Sequence, residues 1–263
     1  MLAGISVLPL LMGASEPRDF AGILKFLGLF SDAEIVLDAG DAASYPGTGG
    51  TWSDVSGNGY LFTRTSSLGV VFNGVAGGLT DSEYFSFNGS SYWTSSARTD
   101  WTNGLHKNNA AWSAVCWLRT PSSTPTSRTG IIGTYGSPGG DFEINDRAPK
   151  IHVRSGGGNI NTEQSNMIVA NSTWQMLSMA IDEAVGAGGL TFGLNDNFTS
   201  HTSTYSSPSS SASENTLKIA DTGNGSSNFF NGGRMAMIAA FNRRLSQAEL
   251  TAVYEATKKR FNL

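Results

Sequence analysis

The chain has 263 residues and a formal net charge of −4, and 14% of its residues are charged, against about 25% in average soluble domains. This composition argues against a helical bundle, which needs charged exposed faces, and against a nucleic-acid-binding protein, which needs a basic surface. A single cysteine, Cys116, excludes an internal disulfide. One cysteine and three scattered histidines also lack the spacing of zinc ligands.

The first 33 residues are dominated by apolar residues and glycine, unlike the rest of the chain. No basic residue precedes the apolar run 2–12, as a secretory signal would require, and the run is too short to span a membrane. Residues 20–30 are predicted to form a short amphipathic helix, which could pack on the chain's own surface or dock into another protein. An exposed apolar segment of this size is a liability on a free monomer. We therefore predict that residues 1–33 form a segment that docks into another protein. Its docking candidates are Phe20, Ile23, Leu24, Phe26, Leu27 and Phe30.

From residue 34 onward, short runs rich in β-branched and aromatic residues alternate with turn signals, which is typical of a β-sandwich or barrel. Six Asn-Gly pairs and 32 glycines indicate tight turns between the strands. The predicted strands are 34–38, 69–72, 84–87, 111–119, 130–135, 141–144, 150–154, 174–182, 189–194, 217–220 and 234–241.

The last 18 residues are predicted to form a helix. Ser246-Gln-Ala-Glu249 is a capping box, in which the serine hydroxyl and the glutamate carboxylate satisfy free backbone N–H groups. Leu250, Val253 and Tyr254 follow on one helical face, and the basic residues 258–260 suit the negative end of the helix dipole.

Four segments together carry a resemblance to a known family. They are Trp52-Ser-Asp-Val-Ser-Gly-Asn-Gly59, Phe85-Ser-Phe-Asn-Gly-Ser-Ser91, Trp112-Ser-Ala-Val-Cys-Trp-Leu-Arg119 and Phe241-Asn-Arg-Arg-Leu-Ser-Gln-Ala-Glu249. In this order they resemble the concanavalin A-like lectin/glucanase superfamily, in its laminin-G-like form. The resemblance covers about residues 34–263 and implies an all-β fold: a two-sheet antiparallel jelly-roll sandwich with a short C-terminal helix and an apolar N-terminal extension.

Two turn residues of the opening motif, Asp54 and Asn58, are the types that could bind calcium. Turn residues of this kind usually bond their own backbone. We therefore predict no metal site and no cofactor, with calcium as a possibility that the sequence does not support.

Glucanases of the superfamily resemble one another in a strand bearing Glu-x-Asp-x-Glu, which places three carboxylates on one face. The nearest segment here is Asp141-Phe-Glu-Ile-Asn-Asp-Arg147, where Asn145 and Arg147 interrupt the pattern after Glu143. Asp141 and Glu143 still share a strand face, so a catalytic pair of carboxylates is not excluded by the sequence. We predict a protein that is not an enzyme.

Non-catalytic members of the superfamily mostly bind glycans, and such binding needs exposed aromatic rings that stack on sugar faces. Tryptophans in the regular strands 111–119 and 174–182 are expected in the core. Aromatic residues in less regular polar sequence are the stacking candidates. They are Tyr92, Trp93, Trp101 and, beside a glycine-rich loop, Tyr135.

The polar, Gly/Ser/Thr/Asn-rich style with one cysteine resembles virion proteins of tailed bacteriophages, where laminin-G-like domains occur on head fibres, tail fibres and decoration proteins. This resemblance implies a virion surface protein that docks to capsid or tail proteins through residues 1–33 and presents its jelly roll to host-surface polysaccharide. We expect a homo-oligomer that binds no nucleic acid and spans no membrane. The alternatives are a secreted or cell-surface bacterial carbohydrate-binding module, a purely structural capsid cement protein and, less favoured, a glycoside hydrolase.

Overall fold

The computed structural model describes residues 18–95, 110–123, 127–136, 138–154, 159–201 and 216–263. Residues 1–17 of the predicted docking segment and Trp101 lie outside these ranges. The helices are α1 (Phe20–Phe26) and α2 (Gln247–Thr257). Short 3-10 turns cover Phe30–Asp32, Glu183–Val185 and Lys258–Phe261.

The strands alternate with turns along most of the described chain. They are β1 (Ala33–Asp38), β2 (Thr51–Ser53), β3 (Leu61–Arg64), β4 (Val70–Asn73), β5 (Tyr84–Asn88), β6 (Trp93–Ser95), β7 (Ala111–Arg119), β8 (Thr129–Gly133), β9 (Gly139–Asn145), β10 (Ala148–Arg154), β11 (Asn159–Gln164), β12 (Trp174–Asp182), β13 (Leu190–Leu194), β14 (Asn197–Ser200), β15 (Lys218–Ile219) and β16 (Asn231–Phe241). The predicted strands 111–119 and 174–182 have the bounds of β7 and β12. Five short or polar strands, β2, β3, β6, β11 and β14, were not predicted.

These strands form two antiparallel sheets. Sheet A has the order β14-β13-β12-β7-β16-β5-β4, and β1 also pairs with β16; sheet B has the order β11-β10-β9-β8-β15-β6-β3-β2. Sheet A therefore mixes strands from both ends and the middle of the chain. The predicted two-sheet antiparallel sandwich with a short C-terminal helix is confirmed, and so is the capping box of α2.

The interior core lies between the two sheets, and it is filled by alternate residues of their strands. In β7, for example, Trp112, Ala114, Cys116 and Leu118 point into this core. Sheet B contributes Phe142 and other apolar residues. Burial raises the pKa of the Cys116 thiol, as expected for an inert core cysteine.

A second apolar cluster, the outer cluster, covers the other face of sheet A. Val115 and Trp117 of β7 point into it, and both helices pack on it. The Trp117 ring stacks on Phe261 at 4.1 Å between ring centroids, and its Nε1 donates a 2.8 Å hydrogen bond to Oγ1 of Thr257. Sheet A is thus buried on both faces, which explains why β7 is an almost continuous apolar run.

Helix α1 belongs to this outer cluster, which corrects part of the docking prediction. Phe20, Ile23 and Leu24 are at most 7% exposed, because α1 lays its apolar side on the chain's own sandwich. Of the predicted docking residues, Phe26 is 72% exposed, and Leu27 and Phe30 are half-buried. The first of the two readings, packing on its own domain, therefore applies to the buried side of the helix.

A buried ion pair fastens the two ends of the described chain to each other. Nη1 of Arg260 lies 2.7 and 2.9 Å from the carboxylate oxygens of Asp38, which is fully buried. Asp38 also accepts hydrogen bonds from the backbone N–H groups of Phe20 and Gly40. This one carboxylate therefore ties together the start of α1, the end of β1 and the residues that follow α2.

Candidate functional site

The outer face of sheet B differs from that of sheet A, because its central strands place charged residues there. In β9, Phe142 and Ile144 enter the interior core. The alternate residues Asp141 and Glu143 therefore share one face of the strand, as predicted, and this face is the outer one. On β10, His152 stands directly opposite Asp141 in the antiparallel register.

Four side chains, Arg128, Asp141, Glu143 and His152, form the polar cluster. Nη2 of Arg128 lies 2.7 Å from Oδ2 of Asp141, and its Nε donates to Oε2 of Glu143. Nδ1 of His152 lies 2.9 Å from Oε1 of Glu143, 3.6 Å from Oδ1 of Asp141 and 3.0 Å from Nη2 of Arg128. Both carboxylates are completely buried. The guanidinium thus holds one oxygen of each carboxylate, and the imidazole faces the other two.

The proton affinities of the cluster follow from this burial. Desolvation, together with the nearby Glu143 carboxylate, raises the pKa of Asp141 to about 7 against the opposing effects of His152 and Arg128. Asp141 and Glu143 raise the pKa of His152 and outweigh the opposing effect of burial. Two carboxylates against one guanidinium carry an excess negative charge in a buried site, and both shifts reflect the need for another positive charge.

A loop of residues 221–228, the cover loop, closes one side of the polar cluster. It lies directly on Gly130 and Gly133 of β8, where a Cβ atom would overlap the backbone of Asp221 or Thr222. Those glycines are paired with Glu143 and Asp141 of β9. Oδ1 of Asp221 fixes the loop by accepting hydrogen bonds from the N–H groups of Gly223 and Gly225, at 2.7 and 2.9 Å. Glycine in β8 is what lets a loop cover two buried carboxylates.

An open cleft of about 400 Å³ lies beside the cluster, and Arg128 forms part of its wall. About a quarter of the Arg128 side chain is accessible. The other lining residues are mainly small or polar: Gly89, Ser127, Thr129, Ser226, Ser227, Asn228, Phe229, Phe230 and Asn231. Oδ1 of Asn228 is buried and has no hydrogen-bond partner among the described residues. The cleft therefore offers hydroxyl, amide and guanidinium groups to a ligand.

Three of the aromatic residues predicted to stack on sugars, Tyr92, Trp93 and Tyr135, are described, and none of them lines this cleft. Trp93 is 0% exposed in β6, packed in the interior core against Phe85 at 4.9 Å between ring centroids; the prediction that it stacks on a sugar is wrong. Tyr92 is half-buried, with Nζ of Lys218 5.0 Å from its ring centroid. Tyr135 packs on the guanidinium of Arg128, 4.2 Å away. Trp101 lies outside the described residues.

The opening motif uses its polar residues within the fold. Asp54 accepts hydrogen bonds from the backbone N–H groups of Val36 and Ser56, and the Asn58 amide donates to the backbone of Glu34. Both side chains tie the turn to β1, which agrees with the interpretation of this motif as structural.

The structure brings together residues that the sequence did not connect. Arg128 lies in a Ser/Thr/Pro-rich segment between the predicted strands 111–119 and 130–135, and His152 was one of three scattered histidines. The signal that could have found them was the outward pair Asp141 and Glu143, because two carboxylates on one strand face require a cationic neighbour once they are buried.

No protein-family model and no curated protein matches the chain. Among solved structures, the chain is similar to the receptor-binding domain of botulinum neurotoxin type G, with a TM-score of 0.57, 16% identity, and coverage of 86% of this chain and 51% of that one. It is similar to the binding domain of botulinum neurotoxin DC in complex with SialylT (TM-score 0.60, 12% identity, 87% and 52% covered). The binding domain of Paraclostridial Mosquitocidal Protein 1 is also similar (0.57, 11%, 86% and 52%).

The chain spans about half the length of these structures. At such low identity the likeness establishes the β-sandwich fold and assigns no site. In the part of the chain that the structure describes, no helix has the length and apolar character needed to cross a membrane.

Proposed function

We propose that this chain is a non-enzymatic glycan-binding domain and that its sugar site is the cleft beside Arg128. The observation that carries the proposal is the lining of that cleft, where serine, threonine and asparagine side chains surround one fixed guanidinium. Sugar hydroxyls both donate and accept hydrogen bonds.

The solved neighbours support a binding role. One of them is a neurotoxin binding domain in complex with SialylT, and another is a neurotoxin binding domain in complex with rat synaptotagmin II. Both are sandwich-containing domains that act by recognition of a partner, and this chain has the same sandwich.

A hydrolase is less well supported by the geometry. A retaining glycosidase needs two carboxyl groups about 5–5.5 Å apart that reach the glycosidic bond. Asp141 and Glu143 are fully buried, and Arg128 holds one oxygen of each. We expect no hydrolysis of a broad glycan panel, and turnover that is lost in Glu143→Gln would overturn the non-enzymatic proposal.

The binding experiment is a glycan array followed by calorimetric titration of the best ligand. Asn228→Ala and Asn231→Ala remove amide groups from the cleft, and each is expected to weaken binding by about tenfold, the equivalent of one well-made hydrogen bond. Asn242→Ala is the matched control, since this exposed asparagine follows the far end of β16. Equal affinity in all three variants would show that the sugar binds outside this cleft.

For its biological setting, we propose that the domain is displayed on a virion surface and binds host polysaccharide. The exposed ring of Phe26 supports a contact with a capsid or tail protein. A secreted or cell-surface module and a structural cement protein are the alternatives. Cryo-electron microscopy of the native source distinguishes them: Phe26 buried against another virion protein supports display, and a free monomer supports the secreted module. A particle-bound domain that binds no glycan supports the cement protein.

A further inference from the structure

The polar cluster contains two buried carboxylate oxygens that Arg128 does not hold. Oδ1 of Asp141 and Oε1 of Glu143 are both inaccessible to solvent, and neither accepts a hydrogen bond of normal geometry from the described residues. Buried charged oxygens without a partner are costly, so a native fold supplies either a proton or a cation at such a point.

These two oxygens converge with a nitrogen. Oδ1 of Asp141, Oε1 of Glu143 and Nδ1 of His152 all lie within 4.8 Å of one another. The distances from Nδ1 to the two oxygens, 2.9 and 3.6 Å, are close to those between neighbouring ligand atoms that each lie about 2.1 Å from one metal ion. The three groups come from adjacent strands in a fixed register, which makes their arrangement rigid.

A proton and a metal ion would satisfy this arrangement differently. Nδ1 lies 2.9 Å from Oε1 of Glu143 without normal hydrogen-bond geometry, and Oδ1 of Asp141, at 3.6 Å, lies beyond hydrogen-bond distance. A proton on Nδ1 would also face Nη2 of Arg128, itself a donor, at 3.0 Å. A dication contacts all three ligand atoms at once and more than offsets the excess negative charge of one unit.

We propose that Asp141, Glu143 and His152 form a binding site for a divalent first-row transition metal ion. Two carboxylate oxygens and one imidazole nitrogen are a ligand set that Mn²⁺ and Zn²⁺ accept. Arg128 is the outer partner, because it orients both carboxylates through their other oxygens, Oδ2 and Oε2. With the ion bound, Nδ1 gives its lone pair to the metal, and Arg128 keeps its two carboxylate contacts.

The bound ion would have a structural role and not a catalytic one. The ion would join β9 to β10 and hold Arg128, through the two carboxylates, at the wall of the cleft. Metal binding does not depend on the proposed glycan function, because the ligands are internal to sheet B and none of the three lines the cleft.

The experiment uses the untagged full-length chain, which is treated with a chelator and then titrated with Mn²⁺ or Zn²⁺ alone. We expect about one ion per chain by elemental analysis, as one such ligand set provides, and a higher melting temperature with the ion, because binding to the native state stabilises it. His152→Gln and Asp141→Asn should abolish binding. Arg128→Met should weaken it by about tenfold to 100-fold, as loss of an outer partner does.

Two matched control variants change a histidine and a carboxylate that are not proposed ligands. His201→Gln removes a histidine from the end of β14, and Asp146→Asn removes an exposed carboxylate from the β9–β10 hairpin; both should bind metal like the unmodified chain. If the site variants fail to fold, X-ray absorption of the Zn²⁺-loaded unmodified chain should still show the outer-shell scattering of one imidazole and a first shell of light N/O ligands. Failure of both ions to bind or to shift the melting temperature would overturn the proposal and leave a proton as the charge that completes the cluster.

Discussion

The two outer faces of the sandwich show opposite ways of covering a sheet. Sheet A is covered by helices, and side chains such as Trp117 extend the apolar interior outward. Sheet B is covered near its centre by the cover loop, and the buried charged side chains of the polar cluster lie beneath this loop. A helix can cover apolar side chains of any size, whereas a loop that crosses a strand closely needs glycine below it. The outer face of sheet A, the dry face, therefore contributes stability. The outer face of sheet B, the polar face, holds charged side chains in fixed positions.

The largest effect is expected when the dry face is opened. Trp117→Ala removes a stacked ring and leaves the Oγ1 of Thr257 without the Nε1 donor. We expect a loss of about 3–5 kcal/mol in the free energy of unfolding, the usual range for a large aromatic side chain in a core. Urea denaturation measures it. A loss as small as that of an exposed residue would show that the outer cluster contributes little.

A smaller effect is expected where the cover loop crosses β8. A methyl group at Gly130 would overlap the backbone of Asp221 and Thr222, so Gly130→Ala should displace the loop at a cost of about 1–3 kcal/mol. Ligand binding in the cleft should weaken as well, since residues 226–228 of the loop line it. Gly50→Ala is the control, because a Cβ atom there meets nothing within 4 Å. Equal stability of the two variants would contradict a close crossing.

Helix α2, which covers sheet A, forms an ion pair between its Glu249 and Arg243. The contribution of this pair to stability can be measured in acid. Hydrogen bonds from Arg243 and the cap residue Ser246 lower the pKa of Glu249 from 4.5 to about 2. Between these pH values the unfolded chain binds more protons than the native chain. The stabilisation is therefore complete above about pH 4.5 and is lost as pH falls towards 2. Glu249→Gln should remove this slope from acid denaturation curves, and salt should weaken it, because the pair is partly exposed.

The smallest effect on stability is expected at the edge of the dry face. Phe26 is 72% exposed, so Phe26→Ser should change the free energy of unfolding by less than about 0.5 kcal/mol. If the proposed virion setting applies and this ring contacts a capsid or tail protein, the same variant should lose incorporation into particles. Leu68→Ser is a matched control, since Leu68 is 89% exposed elsewhere on the domain. Normal incorporation of Phe26→Ser would argue against docking through this helix.

The two faces also differ in how much of them could be predicted. Long apolar strands such as β7 and the capping box of α2 follow from local periodicity, and both are confirmed. Trp93 was misplaced because β6 has only three residues, too few for a period of two to appear against its polar neighbours. The outward pair Asp141 and Glu143 was predictable, but the partners Arg128 and His152 come from other elements. Only tertiary pairing puts them within reach.

The bond between Asp38 and Arg260 also bears on how the domain is made. The two residues are 222 positions apart, and β1 pairs with β16, so among the described strands β1 has no ladder partner until β16 exists. Closing so long a loop costs entropy before any native contact forms, which slows folding. On the ribosome, α1 lacks its contacts with α2 until that helix has emerged. The sandwich thus becomes native only after its last strand, β16, has been synthesised.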